Sequence, residues 1–200
     1  MTSRTFKVLI LGSTNTGKTS IIRRYTQGDF TENHFVTPLP IATSQTLSYK
    51  DIRYELQIWD TAGAEDWASM NANVYHDSNA VIFVAAVDNQ ASVSEIFNVW
   101  QPRLGEYMKP DEYLSFVCIN KADLENPLVD RDEIEDVKSS LNAVRHFVVT
   151  AKNDNDVKSG TVFNIFDDGN NDNNDIHSYV ASEISKMFEE VGEALVKKDI

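Results

Sequence analysis

Short apolar runs along the chain alternate with segments in which apolar residues recur at helical spacing. Continuous apolar runs predict buried strands at residues 6–11, 80–87, 113–120 and 144–150. Residues 41–60 predict a β-hairpin, because two β-rich arms flank Lys50 and Asp51 and the second arm alternates apolar and polar side chains. The pattern therefore predicts six strands.

Helices are predicted between and after these strands. Apolar residues recur three or four positions apart at residues 19–27, 92–104 and 176–195. Residues 130–141 show the pattern of a polar helix. Six strands interleaved with helices predict an α/β fold of three layers, in which a six-stranded, mostly parallel sheet carries helices on both faces. Ligands of such sheets bind at the carboxyl ends of the strands.

The composition is that of one globular domain, and we expect residues 1–200 to fold as a single unit. A net charge of −13 argues against nucleic acid and anionic membrane surfaces as partners, since both repel an acidic protein. The single cysteine, Cys118, lies in an apolar run and is interpreted as a buried small hydrophobe in a reducing compartment. No apolar run approaches the roughly 20 residues that span a bilayer.

The segment at residues 153–175 departs from this alternation. Its second half consists almost entirely of Asn, Asp and Gly, a composition that cannot bury apolar surface and predicts a solvated loop inserted before the last helix. Calcium on its carboxylates is an alternative, although their spacing does not match the EF-hand loop. A partner-binding loop is a further alternative.

A phosphate-binding loop is predicted directly after the first strand. Residues 12–19 read GSTNTGKT and match G-x-x-x-x-G-K-[ST] between a strand and a helix, which is the context that the motif requires. The glycines let backbone N–H groups surround phosphates at a helix N-terminus. Lys18 is predicted to contact the β- and γ-phosphates, and the Thr19 hydroxyl to bind Mg²⁺. The motif indicates a phosphate group but not the base.

Residues 60–63, which read DTAG, end the second arm of the predicted hairpin. Asp60 is placed to reach Mg²⁺ through a water molecule, and the Gly63 N–H can meet the γ-phosphate. An ordinary strand-end turn is the simpler interpretation of this motif in isolation. Beside a phosphate loop, the interpretation as a metal and phosphate site is favoured.

Two further strand ends predict which base is bound. Asp123 can accept hydrogen bonds from the N1–H and N2–H₂ groups of guanine, which adenine lacks, and a site built for those donors rejects bases without them. Asn120 is predicted to brace the loops, and the stem of Lys121 to lie along the base. At residues 150–152, the Ala151 N–H is predicted to meet guanine O6. These residues disfavour the alternative of an ATPase or kinase.

With the four motifs in this order, residues 5–152 and the last helix resemble the small GTPases of the Ras superfamily, and LQIWDTAG at residues 56–63 is most similar to the Rab branch. The resemblance implies a P-loop G domain that acts as a molecular switch, in which GTP orders two loops and hydrolysis releases them. It implies that Thr37 caps Mg²⁺ in the GTP state and that Phe30 packs on the guanine.

The resemblance also implies the full set of site residues. The implied nucleotide contacts are Gly12, Asn15, Thr16, Gly17, Lys18, Thr19, Ser20, Phe30, Thr37, Asp60, Gly63, Asn120, Lys121, Asp123, Thr150, Ala151 and Lys152. The implied metal ligands are Thr19, Thr37 and Asp60, and the implied catalytic contacts are Lys18, Thr37 and Gly63. The implied cofactor is Mg²⁺ together with GTP or GDP.

Ala64 departs from the family, which carries at this position a glutamine that orients the attacking water. A methyl group cannot position water, and even with the glutamine intrinsic turnover is only on the order of 10⁻⁴ per second. We therefore expect very slow intrinsic GTP hydrolysis, with a non-cycling, nucleotide-bound scaffold as the alternative. Glu65, and an Asn15 amide in place of a glycine, are two candidates for compensation; the simpler interpretation is that Asn15 is only tolerated.

The surfaces that the family uses for partners also depart. Pro38 and Pro40 fix φ and remove two N–H donors from the first switch loop. The aromatic triad through which Rab proteins contact effectors corresponds here to Ala42, Trp59 and Val74. We therefore expect unusual effector and exchange-factor proteins to bind through residues 30–42 and 60–76.

The chain ends without a cysteine that could be prenylated, so no direct lipid anchor is expected. The expected protein is a cytoplasmic monomer, or one that a partner recruits to membranes. Vesicle traffic or signalling is implied by the resemblance only.

Overall fold

The computed structural model describes residues 4–32, 37, 39–61, 72–152 and 183–199. Its strands are β1 (Arg4–Leu11), β2 (Ile41–Tyr49), β3 (Ile52–Asp60), β4 (Ala80–Ala86), β5 (Leu114–Asn120) and β6 (Arg145–Val148). They form one sheet in the order β2-β3-β1-β4-β5-β6, in which β2 and β3 are antiparallel and all other neighbours are parallel. The predicted six-stranded, mostly parallel sheet is confirmed.

Helical segments cover both faces of this sheet. They are α1 (Lys18–Gln27), α2 (Gln90–Glu95), α3 (Gln101–Gly105), α4 (Arg131–Ser140) and α5 (Glu183–Lys198), with a 3₁₀ turn at Ala72–Val74. Helices α1 and α5 pack on one face, and α2, α3 and α4 pack on the other. The predicted three-layer α/β fold is thereby confirmed. Residues 176–182 of the predicted last helix and the 153–175 segment lie outside the described residues.

The two hydrophobic cores follow from the alternation of side chains along the central strands. On β1, Val8 and Ile10 belong to the core under α1 and α5, whereas Leu9 and Leu11 belong to the core under α2 and α4. All seven residues of β4 are buried, as its continuous apolar run predicts. Cys118 is fully buried, and burial raises its pKa, which agrees with its interpretation as a small hydrophobe.

The segment predicted as one helix at residues 92–104 is interrupted. A π-helical turn at Ile96–Trp100 separates α2 from α3, and the Gln101 N–H donates to the carbonyl of Ile96, five residues earlier. Pro102 explains the interruption, because in an α-helix its ring would clash with the carbonyl four residues before it. The extra residue in this turn changes the helical phase, and Trp100 is buried in the core.

Other boundaries differ by one or two residues from the predicted ones. Helix α4 begins after Asp130, whose side chain accepts from the Glu133 N–H while the Glu133 carboxylate accepts from the Asp130 N–H, a complete capping box. Strand β6 ends at Val148 instead of Thr150. The Val149 carbonyl accepts from the Ala122 N–H at 3.1 Å, so this part of the chain pairs with the loop after β5.

Candidate functional site

The motifs predicted to bind a nucleotide follow β1, β3, β5 and β6, which run parallel to one another, and their residues lie at the carboxyl edge of the sheet. The phosphate loop connects β1 to α1. Gly12 packs so closely against β4 that a Cβ on it would overlap the carbonyl oxygen of Val84. Gly17 precedes α1 with φ 88°, in the left-handed region, and a Cβ there would collide with the Asn120 amide. Glycine is therefore required at Gly12 by the approach to the Val84 backbone, and at Gly17 by the left-handed φ and the contact with the Asn120 side chain.

Lys18 is buried within the loop that it belongs to. Its Nζ donates to the carbonyl of Gly12 at 2.6 Å and to the carbonyl of Ser13 at 2.9 Å. Burial lowers the pKa of Lys18 to about 8, and the nearby Asp60 carboxylate partly offsets this effect. The ammonium group is therefore held inside the loop that is predicted to bind phosphate, and an anion there would stabilise its charge.

Three oxygen-bearing side chains from separate segments converge beside Lys18. The Thr19 hydroxyl lies 2.8 Å from the Thr37 hydroxyl and donates to Asp60 Oδ2 at 2.7 Å, and Thr37 Oγ1 lies 3.4 Å from the same carboxylate oxygen. Burial raises the pKa of Asp60, and the hydrogen bond from Thr19 partly offsets the shift. The structure therefore brings the three predicted metal ligands together.

Two observations indicate that these three residues are suited to bind Mg²⁺. All three offer hard oxygen ligands, which Mg²⁺ prefers. In addition, Asp60 Oδ1 is buried and has no hydrogen-bond partner among the described atoms, so a carboxylate lone pair is directed into the protein without compensation. Mg²⁺, when bound, would neutralise phosphate charge at this position. Gly63 and Ala64, which are central to the predicted chemistry, lie outside the described residues.

A cavity of about 250 Å³ opens next to the phosphate loop. Its walls come from the loop, from the segment after α1, and from the loops after β5 and β6. The residues that line it are Asn15, Gly17, Ser20, Phe30, Glu32, Asn120, Lys121, Asp123, Leu124, Ala151 and Lys152. Nine of these are predicted nucleotide contacts; Glu32 and Leu124 are not among them. The cavity therefore unites the predicted base-binding residues.

Hydrogen bonds fix the polar groups around this cavity. Asn120 Nδ2 donates to the carbonyl of Thr16 at 2.9 Å, which links the loop after β5 to the phosphate loop. Thr150 Oγ1 donates to Asp123 Oδ1 at 2.6 Å and accepts from the Lys152 N–H at 3.1 Å. The Asp123 carboxylate is therefore held by the chain before any ligand is bound.

Two ion pairs at the cavity were not predicted. Lys121 Nζ lies 3.0 Å from Oδ2 of Asp88, a residue that follows β4. This ion pair stabilises the position of the Lys121 side chain. Lys152 Nζ lies 3.6 Å from Glu32 Oε1, so the segment carrying Phe30 is linked to the loop after β6. Neither acid belongs to a sequence motif, and no sequence signal could have paired them with these lysines.

Asn15 has φ 64°, in the left-handed region. Asparagine is one of the few side chains that adopt this conformation readily, because its short amide tolerates the backbone geometry. The loop therefore accommodates asparagine at a position with left-handed backbone geometry. The interpretation that Asn15 is only tolerated, and the alternative that its amide contributes to catalysis, both stay predictions.

Two further residues contact the phosphate loop and a third contacts the loop after β6, and none of the three was predicted. Ser13 Oγ donates to the Glu95 carboxylate and accepts from Trp100 Nε1, which lies 3.1 Å away. Arg24 Nε donates to the Ala151 carbonyl at 2.9 Å. The only sequence signal for the first contact was Pro102, whose position inside a helical pattern predicts a distortion near Trp100.

None of the helices in the described part of the chain is both long enough and apolar enough to cross a bilayer.

Comparison with known proteins agrees with this geometry. The Ras family model matches residues 7–167. The chain is 28% identical to Ras-related protein Rab-1 of Theileria parva over 154 residues, which cover 76% of the chain and 69% of that protein. It is 34% identical to mouse Ras-related protein Rab-21 over 148 residues, or 74% of the chain and 65% of that protein.

Human Ras-related protein Rab-37 is 32% identical over 130 residues, which cover 64% of the chain and 57% of that protein. The chain therefore spans a little over half to about two thirds of the length of these relatives. A family model that matches most of the sequence establishes the classification. The chain belongs to the Ras family of small GTPases, and its relatives include Rab proteins.

Proposed function

We propose that the chain is a Rab-like molecular switch that binds GTP and GDP with Mg²⁺ and hydrolyses GTP very slowly. The observation that carries the proposal is the convergence of Lys18, the three oxygen ligands Thr19, Thr37 and Asp60, and the cavity that contains Asp123. Phosphate, metal and base sites at one sheet edge are the parts that guanine-nucleotide binding requires.

In this proposal, each group of the chain has a defined role. The N–H groups of residues 12–19 and the Lys18 ammonium bind the phosphates, in place of the carbonyl contacts that Lys18 now makes. Asp123 accepts from the guanine edge, and Asn120 keeps its loop in register with the phosphate loop. Thr19, Thr37 and Asp60 hold Mg²⁺.

Ala64 is the basis for slow hydrolysis. Phosphoryl transfer in this family depends mainly on positioning and electrostatics, and a methyl group offers the attacking water no hydrogen bond. The oxygen ligands and Lys18 can still stabilise charge on the phosphates. We therefore expect the protein to bind nucleotide even though it hydrolyses GTP slowly. If hydrolysis is negligible, the protein is a nucleotide-bound scaffold that does not cycle.

Partner binding is proposed for residues 30–42 and 60–76. Leu39 and Ile41 are 61% and 56% exposed, so two large apolar side chains near each other in the chain are accessible to a partner. Trp59 is half-buried on β3, and the Lys7 ammonium lies 4.8 Å from its ring centroid. These residues suit an effector that buries apolar side chains, and the effector and exchange factor belong to the same proposal.

Single-turnover hydrolysis tests the central claim. The protein is loaded with GTP and Mg²⁺, and phosphate release is compared with that of the Ala64→Gln variant. We expect the wild type to hydrolyse more slowly than about 10⁻⁴ per second and the variant to be faster. A wild-type rate at or above that value would show that Ala64 does not limit hydrolysis.

The nucleotide that copurifies with the protein separates the alternatives. Retained GTP supports the scaffold, whereas GDP supports hydrolysis or a preference for GDP. ATP would contradict the proposed base specificity. If the Ala64→Gln variant is no faster than the wild type, hydrolysis is disabled at another position, for which the Pro38–Pro40 segment is the first candidate.

A further inference from the structure

Ser13, the second residue of the phosphate loop, is a buried hydrogen-bonding centre. Its carbonyl accepts from Lys18 Nζ and from the Thr16 hydroxyl, each at 2.9 Å. Its hydroxyl donates to Glu95 Oε2 and accepts from Trp100 Nε1. Ser13 therefore connects the Lys18 ammonium group, which is proposed to bind the phosphates, with the helical segment that follows β4.

Trp100 reaches Ser13 because the helix is distorted. The π-helical turn ends at Trp100, and α3 begins directly after it with Pro102 in its first turn. The indole ring is 3% exposed, so its N–H requires a protein acceptor. Ser13 Oγ is that acceptor. π-Helical turns are frequently found at functional sites, and this one delivers a donor to the phosphate loop.

Glu95 completes a chain of donors and acceptors. The indole N–H donates to the Ser13 hydroxyl, and that hydroxyl donates to the Glu95 carboxylate. Such chains polarise each bond in turn, and an ionised final acceptor gives a stronger bond than a neutral one. The Ser13 side chain can thus adopt only the orientation that serves both partners.

We propose that Trp100 and Glu95 are positioning residues that hold the phosphate loop, through Ser13, in the conformation that binds a nucleotide. The inference rests on the proposed function and adds residues outside every motif to it. A loop that is already ordered loses less conformational freedom on binding. Weakening the contact lowers the fraction of molecules that are competent to bind, and the apparent affinity falls by that fraction.

A double-mutant cycle on GDP affinity tests this route. Trp100→Phe retains an aromatic ring and removes the N–H donor; Ser13→Ala removes the hydroxyl that joins both partners. We expect each single variant to bind GDP with Mg²⁺ about five- to tenfold more weakly, the range of one buried hydrogen bond. The double variant should bind no more weakly than Ser13→Ala alone, because Trp100 acts through Ser13.

Glu95 provides a graded comparison. Glu95→Gln retains an acceptor oxygen and should lose less affinity than Glu95→Ala. Thermal unfolding midpoints are measured for every variant, so that a change in affinity can be separated from a general loss of stability. A structural role of Trp100 alone would lower the midpoint while leaving the affinity of the folded protein unchanged.

Ser78→Ala is the matched control. Ser78 is another buried serine, whose hydroxyl donates to the Tyr75 carbonyl at 2.8 Å, away from the nucleotide cavity. It should lose stability without losing GDP affinity. The inference is overturned if Ser13→Ala binds GDP like the wild type, or if the two losses multiply in the double variant. Failure of the wild type to bind GDP would instead overturn the proposed function.

Discussion

The Thr150 hydroxyl donates to Asp123 Oδ1 at 2.6 Å and thereby joins the end of β6 to the loop after β5. The two residues are 27 positions apart, and neither loop alone determines the orientation of the carboxylate. The same hydroxyl accepts from the Lys152 N–H at 3.1 Å. The group proposed to select guanine is therefore positioned by a second loop.

Replacing Thr150 with valine tests this relationship. The change keeps the shape of the side chain but removes the hydroxyl, so Asp123 loses a donor. We expect GDP affinity to fall by about tenfold, as for the loss of one hydrogen bond to a charged group. Thr26→Val is the control, because the Thr26 hydroxyl donates to the Ile22 carbonyl within α1. Equal GDP affinities of the two variants, measured by titration, would contradict the prediction.

Asp123 itself is expected to set base selectivity. Inosine diphosphate differs from GDP by the missing exocyclic amine, so a carboxylate that accepts from that amine should bind GDP more tightly. We expect the wild type to favour GDP about ten- to hundredfold, and Asp123→Ala to bind the two nucleotides equally. Competition against a fluorescent nucleotide measures both ratios. A variant that kept its preference would place base recognition elsewhere.

Gly17 is expected to be indispensable. A Cβ at this position would collide with the Asn120 amide, and its φ of 88° is unfavourable for alanine. We expect Gly17→Ala to lose nucleotide binding by more than tenfold, since the Asn120 contact to the Thr16 carbonyl is displaced. Gly105, in α3, has no atom within 4 Å of an added Cβ.

Gly105→Ala is therefore the matched control for Gly17→Ala. Alanine is favoured over glycine inside helices, and we expect stability to be unchanged or raised by up to about 1 kcal/mol. Calorimetric titration with GDP and thermal unfolding distinguish the two substitutions. Similar GDP affinities for the two variants would show that the close approach at Gly17 is dispensable.

Removal of the metal is expected to accelerate nucleotide release. In the wild type, a chelator should shorten the residence time of GDP, because Thr19, Thr37 and Asp60 would hold Mg²⁺, which would neutralise phosphate charge. Asp60→Ala should release GDP rapidly with or without the chelator. Stopped-flow release of a fluorescent GDP measures both. A chelator effect that is equally large in the variant would show that Asp60 is not a metal ligand.

His146 is expected to make stability depend on pH. His146 lies on β6, and its Nδ1 is 3.4 Å from Oε1 of Glu135 on α4. Burial lowers the pKa of the imidazole below 6.5; Glu135 raises the pKa, and Lys138, Arg145 and Arg131 lower it further. A lowered pKa means that the unfolded chain takes up the proton first. Stability is therefore present above about pH 6.5 and is lost as the pH falls towards the pKa of the folded state.

The His146→Gln variant isolates this contribution. Urea midpoints at pH 7.5 and at pH 5.5 should differ more in the wild type than in the variant. At pH 5.5 the wild type must either bury the charged imidazolium on folding or release its proton, and the variant has no imidazole. Carboxylates contribute to both proteins equally and cancel in the comparison. If the wild type and the variant lose the same stability as the pH falls, protonation of His146 does not destabilise the folded state.

Much of the fold could be predicted from hydrophobic patterning. The burial of all of β4, the hairpin of β2 and β3, and the six-stranded sheet follow from local sequence, because period and run length depend on which faces of a strand are covered. The helix at Ile96–Trp100 was predicted as regular, since periodicity does not register the clash that Pro102 would cause with the preceding turn.

The candidate site residues could be named from the sequence, because the predicted phosphate loop, Asp60 and Asp123 each lie in a short motif after a strand, whereas Thr37 was named from the resemblance. The contacts that support these residues became visible in the folded chain. Trp100 and Asp88 reach Ser13 and Lys121 from segments distant in sequence. Such contacts depend on the phase of a helix and on the order of strands in the sheet, and no local pattern encodes either quantity.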